Sequence, residues 1–158
     1  MNRQLPPCEA NHFYRDHVAL LLDSYRRLLN RQLLDSVDSH DLERQVFSAN
    51  FALLSHNTDP DPLFNYANQT ALDLFELSWE EFFGMPSRLS VEPVNQQARE
   101  RIMATVSANG FVDDYSGVRI SKTGKRFRIQ DAVIWNVHDQ QGVYHGQAAW
   151  FKNWEWLS

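Results

Sequence analysis

The order of helical and extended patterns along the chain predicts an α+β fold, with a five-stranded antiparallel sheet, short helices on one face and an N-terminal helical extension. Three observations support this prediction. Apolar residues recur at three- and four-residue spacing over 11–35, which is typical of an amphipathic helix. Two short apolar runs follow at 51–55 and 63–66. After residue 110 come three longer runs that alternate apolar and polar residues, as antiparallel strands do.

The N-terminal extension is predicted to be helical after a short irregular arm, because Pro6 and Pro7 prevent a helix at the start. The helix predicted over 11–35 has a wide apolar stripe, made of Val18, Leu21, Leu22, Tyr25, Leu28, Leu29 and Leu33. Such a stripe must be covered by other apolar surface. Two covers are open: the protein's own sheet, or the same helix of a second copy in a homodimer. A second helix is predicted over 38–48.

Capping signals mark the helices between the short and the long strands. Asn68 is a favourable N-cap residue. Ser78 and Glu81 have the spacing of a capping box, in which each side chain bonds the backbone N–H of the other residue. A longer helix is predicted over 95–107, where Asn109 and Gly110 then end it.

The last third of the chain predicts a three-stranded meander. The strands are predicted over 111–121, 125–138 and 143–154. In the first, the apolar positions change parity, which indicates a bulge near Ser116 and Gly117. One face of the second is predicted to carry Phe127, Ile129, Val133, Trp135 and Val137. We expect Trp135 to be a core residue. Asp131 interrupts this face, and is expected either to be buried with an arginine partner or to be turned to solvent by a bulge.

The length of 158 residues favours one folded unit. No Gly/Ser-rich linker interrupts the chain, so we divide it only into an arm with a helical extension, 1–48, and a sheet-containing domain, 49–158. The N-terminal helices are therefore expected to pack on the same body as the strands.

Composition limits the possible functions. The net charge is −5 and neither half of the chain is basic, so nucleic-acid binding is not expected. The only cysteine, Cys8, allows neither a disulfide framework nor a cysteine-based zinc site. No apolar run is long enough to span a membrane, and the first residues lack the core of a signal peptide. These features predict a cytoplasmic protein that binds neither membranes nor nucleic acids.

The order of two strands, short helices, a longer helix and three strands is that of a PAS domain. The stretch 66–75, in which an Asn follows a strand and caps a helix, resembles the PAS segment that leads into its first short helix. More specifically, the chain resembles the MEKHLA-domain family. The resemblance is carried by the segments 86–90, 115–121, 124–127, 132–136, 146–149 and 151–154.

MEKHLA domains are PAS-like domains that occur alone in bacteria, including cyanobacteria, and at the C-terminus of plant class III homeodomain–leucine zipper factors. The hexapeptide that named the family is not in this sequence, and no homeodomain or zipper precedes the matching region. The resemblance therefore implies the stand-alone bacterial type, and it does not imply the DNA-binding role of the plant proteins.

The resemblance implies a pocket between the inner sheet face and the short helices. Trp79, Phe82, Phe83 and Met85 are candidates for its helical wall. The candidate ligand-binding residues are Arg88, Tyr115, Arg119, Phe127, Asp131, Trp135 and Gln147. The alternative is that the aromatic side chains fill a core and leave no cavity.

The sequence offers no catalytic residue and no metal site. Its six histidines form no ligand pair with the usual spacing, and no phosphate-binding or nucleophile motif is present. Flavin photoreceptors of the PAS superfamily carry a cysteine in the central helical region, and Cys8 lies outside it. Haem-binding PAS domains place a histidine on those helices, and 68–110 contains none. We therefore expect neither flavin nor haem as a cofactor.

These observations predict a non-catalytic, PAS-like sensory or regulatory module that binds a small-molecule ligand or a protein partner. The alternative is a small enzyme that uses the PAS-type cavity. Two titratable side chains that converge in one closed pocket would favour the enzyme, whereas a filled core would favour the interaction module.

Overall fold

The computed structural model describes residues 5–33 and 41–157. The α-helices of the described residues are α1 (Arg15–Leu29), α2 (Leu42–Phe47), α3 (Gln69–Phe75), α4 (Trp79–Phe82) and α5 (Gln96–Asn109). Short 3-10 segments cover Glu9–Tyr14, Ser87–Ser90 and Pro93–Asn95. None of these helices combines the length and the apolar composition that a membrane span requires.

Helix α1 ends earlier than the apolar pattern predicts. Asn30 adopts a left-handed conformation, with φ at 54°, and its backbone N–H bonds the carbonyl of Arg26. Asparagine tolerates this conformation better than most residues, so it ends the helix here. The parts of the two predicted N-terminal helices that fall within 34–40 lie outside the described residues.

The described strands form one antiparallel sheet, which confirms the predicted fold class. They are β1 (Ala52–His56), β2 (Phe64–Ala67), β3 (Phe111–Ile120), β4 (Arg126–His138), β5 (Tyr144–Phe151) and β6 (Asn153–Leu157). Their order is β2-β1-β5-β4-β3, and β6 lies beside β4. The prediction of five strands thus needs one correction, because the last predicted strand is divided in two.

The division falls at Lys152 and does not change the register. Val133 of β4 pairs with Trp150 of β5, and Gln130 of β4 pairs with Asn153 of β6. The two pairs are separated by three residues on β4 and by three residues along β5 and β6, so the register is the same on both sides of Lys152. The third predicted strand therefore follows β4 throughout and is interrupted only beside Asp131.

A bulge at Asp131 decides which side chains share a face. Asp131 is exposed and has φ at 52°, and two residues of β4 lie opposite one residue of β3 at this point. Before it, Phe127 packs against Phe75 of α3, with ring centroids 5.2 Å apart. After it, Trp135 packs against Tyr25 of α1. The prediction that Phe127 and Trp135 share one face is therefore wrong.

The N-terminal caps are confirmed. The Asn68 side chain accepts from the backbone N–H of Ala71 at 3.2 Å and from that of Leu53 at 3.0 Å, which ties α3 to β1. Ser78 and Glu81 form the predicted capping box, in which both hydrogen bonds measure 3.1 Å.

Helix α1 covers the outer face of the sheet with its apolar stripe. Val18, Leu21 and Tyr25 are buried, and Leu22, Leu28, Leu29 and Leu33 pack against the same core. Trp135 donates from Nε1 to the Ser24 hydroxyl at 2.9 Å. Of the two covers considered for this stripe, the structure supports the protein's own sheet.

The packing of α1 predicts a loss of stability in mild acid through His17, whose Nε2 lies 3.0 Å from the Ser55 hydroxyl. Burial, assisted by the charge of His145, lowers the pKa of His17 from 6.5 to about 4. Because the unfolded chain takes up the proton first, stability is complete above pH 6.5 and falls as the pH drops toward 4, by roughly 2–3 kcal/mol.

Urea unfolding at pH 7.5 and pH 4.5 measures this effect. His17→Gln cannot be protonated, so its free energy of unfolding should fall less over this interval than that of the wild type. His56 titrates in both proteins, and the difference between them isolates His17. An equal pH dependence in the two proteins would contradict the prediction.

Candidate functional site

A cavity of about 80 Å³ lies between the inner sheet face and the helical layer. Its walls come from strands β1 to β5, from α3 and α5, and from the 3-10 segment Ser87–Ser90. The lining residues are Leu54, Ser55, His56, Phe64, Phe75, Ser87, Ser90, Arg99, Ile102, Met103, Arg119, Ile129, Ile134, Gln147, Ala148, Ala149 and Phe151. Most of this lining is apolar, and a few polar side chains interrupt it, as is usual for small-molecule pockets.

Arg99 of α5 is the charged group that the fold buries most deeply at this site. Its exposed fraction is 8%. Its Nη2 donates to the Ser87 hydroxyl, and Ser87 is itself held by its backbone N–H on the Pro62 carbonyl. Burial lowers the pKa of the Arg99 guanidinium, and the nearby charge of Arg119 adds to this effect. The charges of Asp61 and Glu100 oppose this shift, but the pKa is lowered nevertheless, so the site disfavours this positive charge.

Arg119 reaches the same cavity from β3 and is positioned by Tyr115. The guanidinium lies over the Tyr115 ring, 5.6 Å from its centroid, and Nη1 donates to the Val118 carbonyl at 3.0 Å. The Tyr115 hydroxyl occupies the space beside Gly117, where an added Cβ would meet it at 2.1 Å. Residues 115, 117 and 119 share one strand face, so Gly117 leaves room for the ring that supports Arg119.

His56 and Gln147 face each other across β1 and β5 and complete the polar lining. Burial lowers the pKa of His56, although its Nδ1 contact with the Asn57 carbonyl, at 3.1 Å, opposes the shift. The Gln147 amide nitrogen donates to Asn136 Oδ1 at 3.1 Å and to the Ser107 hydroxyl at 3.2 Å. Together with Arg99 and Arg119, these residues make the polar part of the lining net positive.

Two of the predicted ligand-binding residues, Arg119 and Gln147, line the cavity. Tyr115 lies behind Arg119 and supports it. Phe127 is fully buried between Phe75 and Trp156 and belongs to the core beside the cavity. Contact of these residues with a ligand stays a prediction.

The structure does not bring the other three predicted residues to the cavity. Trp135 lies on the opposite face of the sheet because of the bulge at Asp131, and Asp131 itself is exposed. Arg88 is also exposed, and its Nε lies 3.2 Å from both carboxylate oxygens of Asp61. Trp135 is therefore corrected to a core residue and Arg88 to a surface residue, whereas Asp131 takes the second of its two expected positions and is turned to solvent by a bulge.

The predicted helical wall is also placed elsewhere. Phe82 stacks on Phe64 with centroids 4.4 Å apart, and Trp79 stacks on Tyr14 at 5.3 Å. These rings pack around β2 and the N-terminal arm. The helical wall of the cavity comes instead from α5 and from Ser87–Ser90.

Arg99 was not among the predicted residues, although the sequence contains a signal for it. Residues 99, 102, 103 and 106 follow helical spacing, and three of them, Ile102, Met103 and Val106, are apolar. An arginine in line with an apolar stripe faces inward, whereas its neighbours Glu100 and Arg101 are exposed. The position of Arg99 within α5 therefore indicates burial.

The sequence of the chain matches a known protein family. The model of the MEKHLA domain matches residues 15–156, which is nearly the whole chain. The chain belongs to the MEKHLA domain family. Among curated proteins, this MEKHLA domain is 27% identical over 146 residues to the homeobox-leucine zipper protein HOX29 of Oryza sativa. It is 26% identical over 141 residues to the homeobox-leucine zipper protein REVOLUTA of Arabidopsis thaliana.

These matches cover most of the chain but little of each relative. They span 87% and 85% of this chain, and 16% and 17% of the two plant proteins. The MEKHLA domain thus corresponds to about a sixth of each relative, and the activities of the whole plant proteins are not transferred to it.

Solved structures confirm the PAS-like fold. The PAS domain of a protein from Colwellia psychrerythraea has a TM-score of 0.60 at 13% identity, over 68% of this chain and 88% of that one. The fungal blue-light photoreceptor Vivid, in its light-state dimer, has a TM-score of 0.59 at 22% identity, over 82% and 89%. At these identities the likeness concerns the fold alone.

The cavity of the MEKHLA domain does not fit a flavin. Pockets that enclose drug-sized ligands measure roughly 300–1,000 Å³, and this cavity measures about 80 Å³. Cys8, the single cysteine, lies before the 3-10 segment Glu9–Tyr14, away from the cavity lining.

Proposed function

We propose that this MEKHLA domain is a non-catalytic sensory or regulatory module that binds a small molecule in the cavity between the sheet and α5. The observation that carries the proposal is the lining of the cavity, which is mostly apolar and has a few convergent polar side chains at one place. A filled core, the alternative predicted from the aromatic content, would have left no such space.

The position of the cavity supports a role in signalling. On β4, Ile134 faces the cavity, and the next residue, Trp135, contacts α1 on the other side of the sheet. A ligand that shifts β4 would therefore also change the packing of α1. This gives a binding event a direct route to the N-terminal extension.

The alternative function, a small enzyme, has one observation in its favour, because His56 and Arg99 are two titratable groups on one cavity. A catalytic histidine acts on a nucleophile within hydrogen-bond reach and is oriented by a third group. Nδ1 of His56 instead contacts the Asn57 carbonyl, and no carboxylate is among the described residues of the lining. These features favour binding over catalysis.

Four further expectations complete the proposal. We expect a stand-alone protein of the bacterial type in the cytoplasm, with the ligand acting through a protein partner. A homodimer through α1 stays a prediction. Because Leu21 and Tyr25 are buried against the sheet, we expect such a dimer to form through residues at the edge of the apolar stripe of α1.

Titration of the ¹⁵N-labelled protein with a matched set of four-carbon compounds tests ligand binding. The set is butyrate, butyramide, butanol and butylammonium, followed in ¹H–¹⁵N spectra. We expect at least one of them to shift the amide signals of Leu54, Ile129 and Ala149 in a saturable way. If none shifts them, the proposal of a small-molecule site fails.

A pair of variants locates the binding. Ala149 lines the cavity and Ala104 is exposed on α5. Ala149→Leu fills space in the cavity, so it should weaken binding of the same compound about tenfold or more, whereas Ala104→Leu should leave it unchanged. Equal binding in both variants would place the ligand elsewhere.

A further inference from the structure

We infer that the ligand of this cavity is a compact organic anion, a short-chain monocarboxylate, whose carboxylate is held by Arg99 and Arg119. This inference rests on the proposed binding function and specifies the charge and shape of the ligand. Three features of the cavity lead to it: a buried cation without an acidic partner, a second cation beside it, and an apolar remainder of small volume.

Arg99 is a buried cation that lacks a counter-ion. Within 5–33 and 41–157, its one hydrogen bond is to the neutral hydroxyl of Ser87, although a guanidinium has five N–H donors. Two carboxylates, Asp61 and Glu100, act on Arg99 through their charge, but Asp61 is paired with Arg88 at the surface and Glu100 is exposed. A buried charge without a partner is strongly unfavourable. A bound carboxylate would supply the missing charge and accept the free donors.

Arg119 makes the site a pair of cations. Its positive charge is close enough to disfavour that of Arg99, and both side chains line the cavity. Two like charges that are held at one cavity are stabilised by an anion between them. The planar guanidinium fork matches a carboxylate with two parallel hydrogen bonds, which makes this ligand class a better fit than a single-atom anion.

The rest of the cavity sets the size and polarity of the ligand. Its volume of about 80 Å³ is about half the roughly 150 Å³ of an engineered apolar cavity that binds benzene. Ile102, Ile129 and Phe151 supply an apolar wall. A short alkyl chain fills such a space, whereas a second charge on the ligand would be placed against apolar side chains. A monocarboxylic acid of about three or four carbons supplies a carboxylate for the two arginines and a short alkyl chain for the apolar wall.

The four-carbon set also tests this inference, at constant ionic strength and with sodium chloride as a control. Butyrate should bind at least about tenfold more tightly than butyramide, which has the same shape without the charge. Arg99→Met should raise the dissociation constant of butyrate at least tenfold. Arg101→Met, on an exposed position of the same helix, should leave it within about twofold.

Thermal unfolding without ligand separates binding from a structural role. If Arg99 serves the ligand, Arg99→Met removes an uncompensated buried charge, so its unfolding midpoint should equal or exceed that of the wild type. A lower midpoint with unchanged butyrate binding would assign Arg99 to the fold and overturn the inference. Should Arg99→Met fail to fold, Arg119→Met and Arg99→Lys carry the test: the first should weaken butyrate binding, and the second should retain part of it.

The outcomes also distinguish this inference from the proposed function. If butanol or butyramide binds in the cavity as tightly as butyrate, the anion inference is wrong and the small-molecule site stands. If chloride alone shifts the same amide signals and competes with butyrate, the site is one for simple anions, and the inferred ligand class is wrong. If no compound binds, both proposals fail.

Discussion

Replacing Trp135 with alanine is expected to lower the free energy of unfolding by roughly 3–5 kcal/mol. The side chain has no exposed surface and lies between β4 and α1. Its ring contacts Tyr25 edge to face, with centroids 5.1 Å apart, and its Nε1 donates to the Ser24 hydroxyl at 2.9 Å. The substitution would therefore leave a cavity at the centre of the interface, and it would remove the hydrogen bond of a buried hydroxyl.

Denaturant titration of three proteins measures this effect. Trp156 provides the matched control, because it is an indole on the neighbouring strand with half of its surface exposed, and Trp156→Ala should cost about 1 kcal/mol. Trp135→Phe keeps most of the packing and loses the hydrogen bond, so its cost should lie between the two. A cost under about 1 kcal/mol for Trp135→Ala would show that α1 does not pack on the sheet as described.

The second large effect is expected at Gly146, where strands β1 and β5 approach closely. Gly146 has φ at 115°, and an added Cβ would lie 2.0 Å from the carbonyl oxygen of His56. The backbone conformation of Gly146 disfavours any residue with a side chain. The neighbouring carbonyl oxygen also leaves no room for a Cβ, because a backbone atom in a strand cannot rotate away as a side chain can. Gly146→Ala should therefore cost roughly 3 kcal/mol or more, by forcing the two strands apart.

Gly142 is the control for Gly146, because it has a positive φ of 84° but no atom within 4 Å of an added Cβ. Gly142→Ala should cost about 1–2 kcal/mol, which is the cost of the conformation alone. Gly146→Ala should also weaken ligand binding, since the adjacent pair His56 and Gln147 lines the cavity. Equal costs for the two variants would mean that the strand contact has room for a methyl group.

The features that depend on residues close together in the chain can be predicted from the sequence alone. The cap at Asn68 and the capping box at Ser78 need only a side chain and a backbone N–H three residues apart, and both form as predicted. The antiparallel sheet follows from alternating runs and turn residues in the same way. The apolar stripe of α1 likewise required a cover, although the sequence left open which surface provides it.

The face that each strand residue occupies, and the identity of the buried cation, depend on how distant parts of the chain pack together. The bulge at Asp131 reverses the alternation of β4, so Trp135 faces α1 and Ile129 faces the cavity. A one-residue irregularity in a period of two moves every later side chain to the other face. The alternation alone does not show where such an irregularity falls, so it predicts a single face for Phe127 and Trp135.

The electrostatic partners of the arginines also depend on the tertiary structure. Arg88, Arg99 and Arg119 are equivalent in charge, and the sequence does not show which of them has an acidic neighbour. In the structure Arg88 pairs with Asp61 at the surface, whereas Arg99 and Arg119 both line the cavity. Electrostatic partners are set by distances across the fold, between residues far apart in the chain. The helices and strands follow from local pattern, and the charge of the cavity follows from how the fold brings α5 and β3 together.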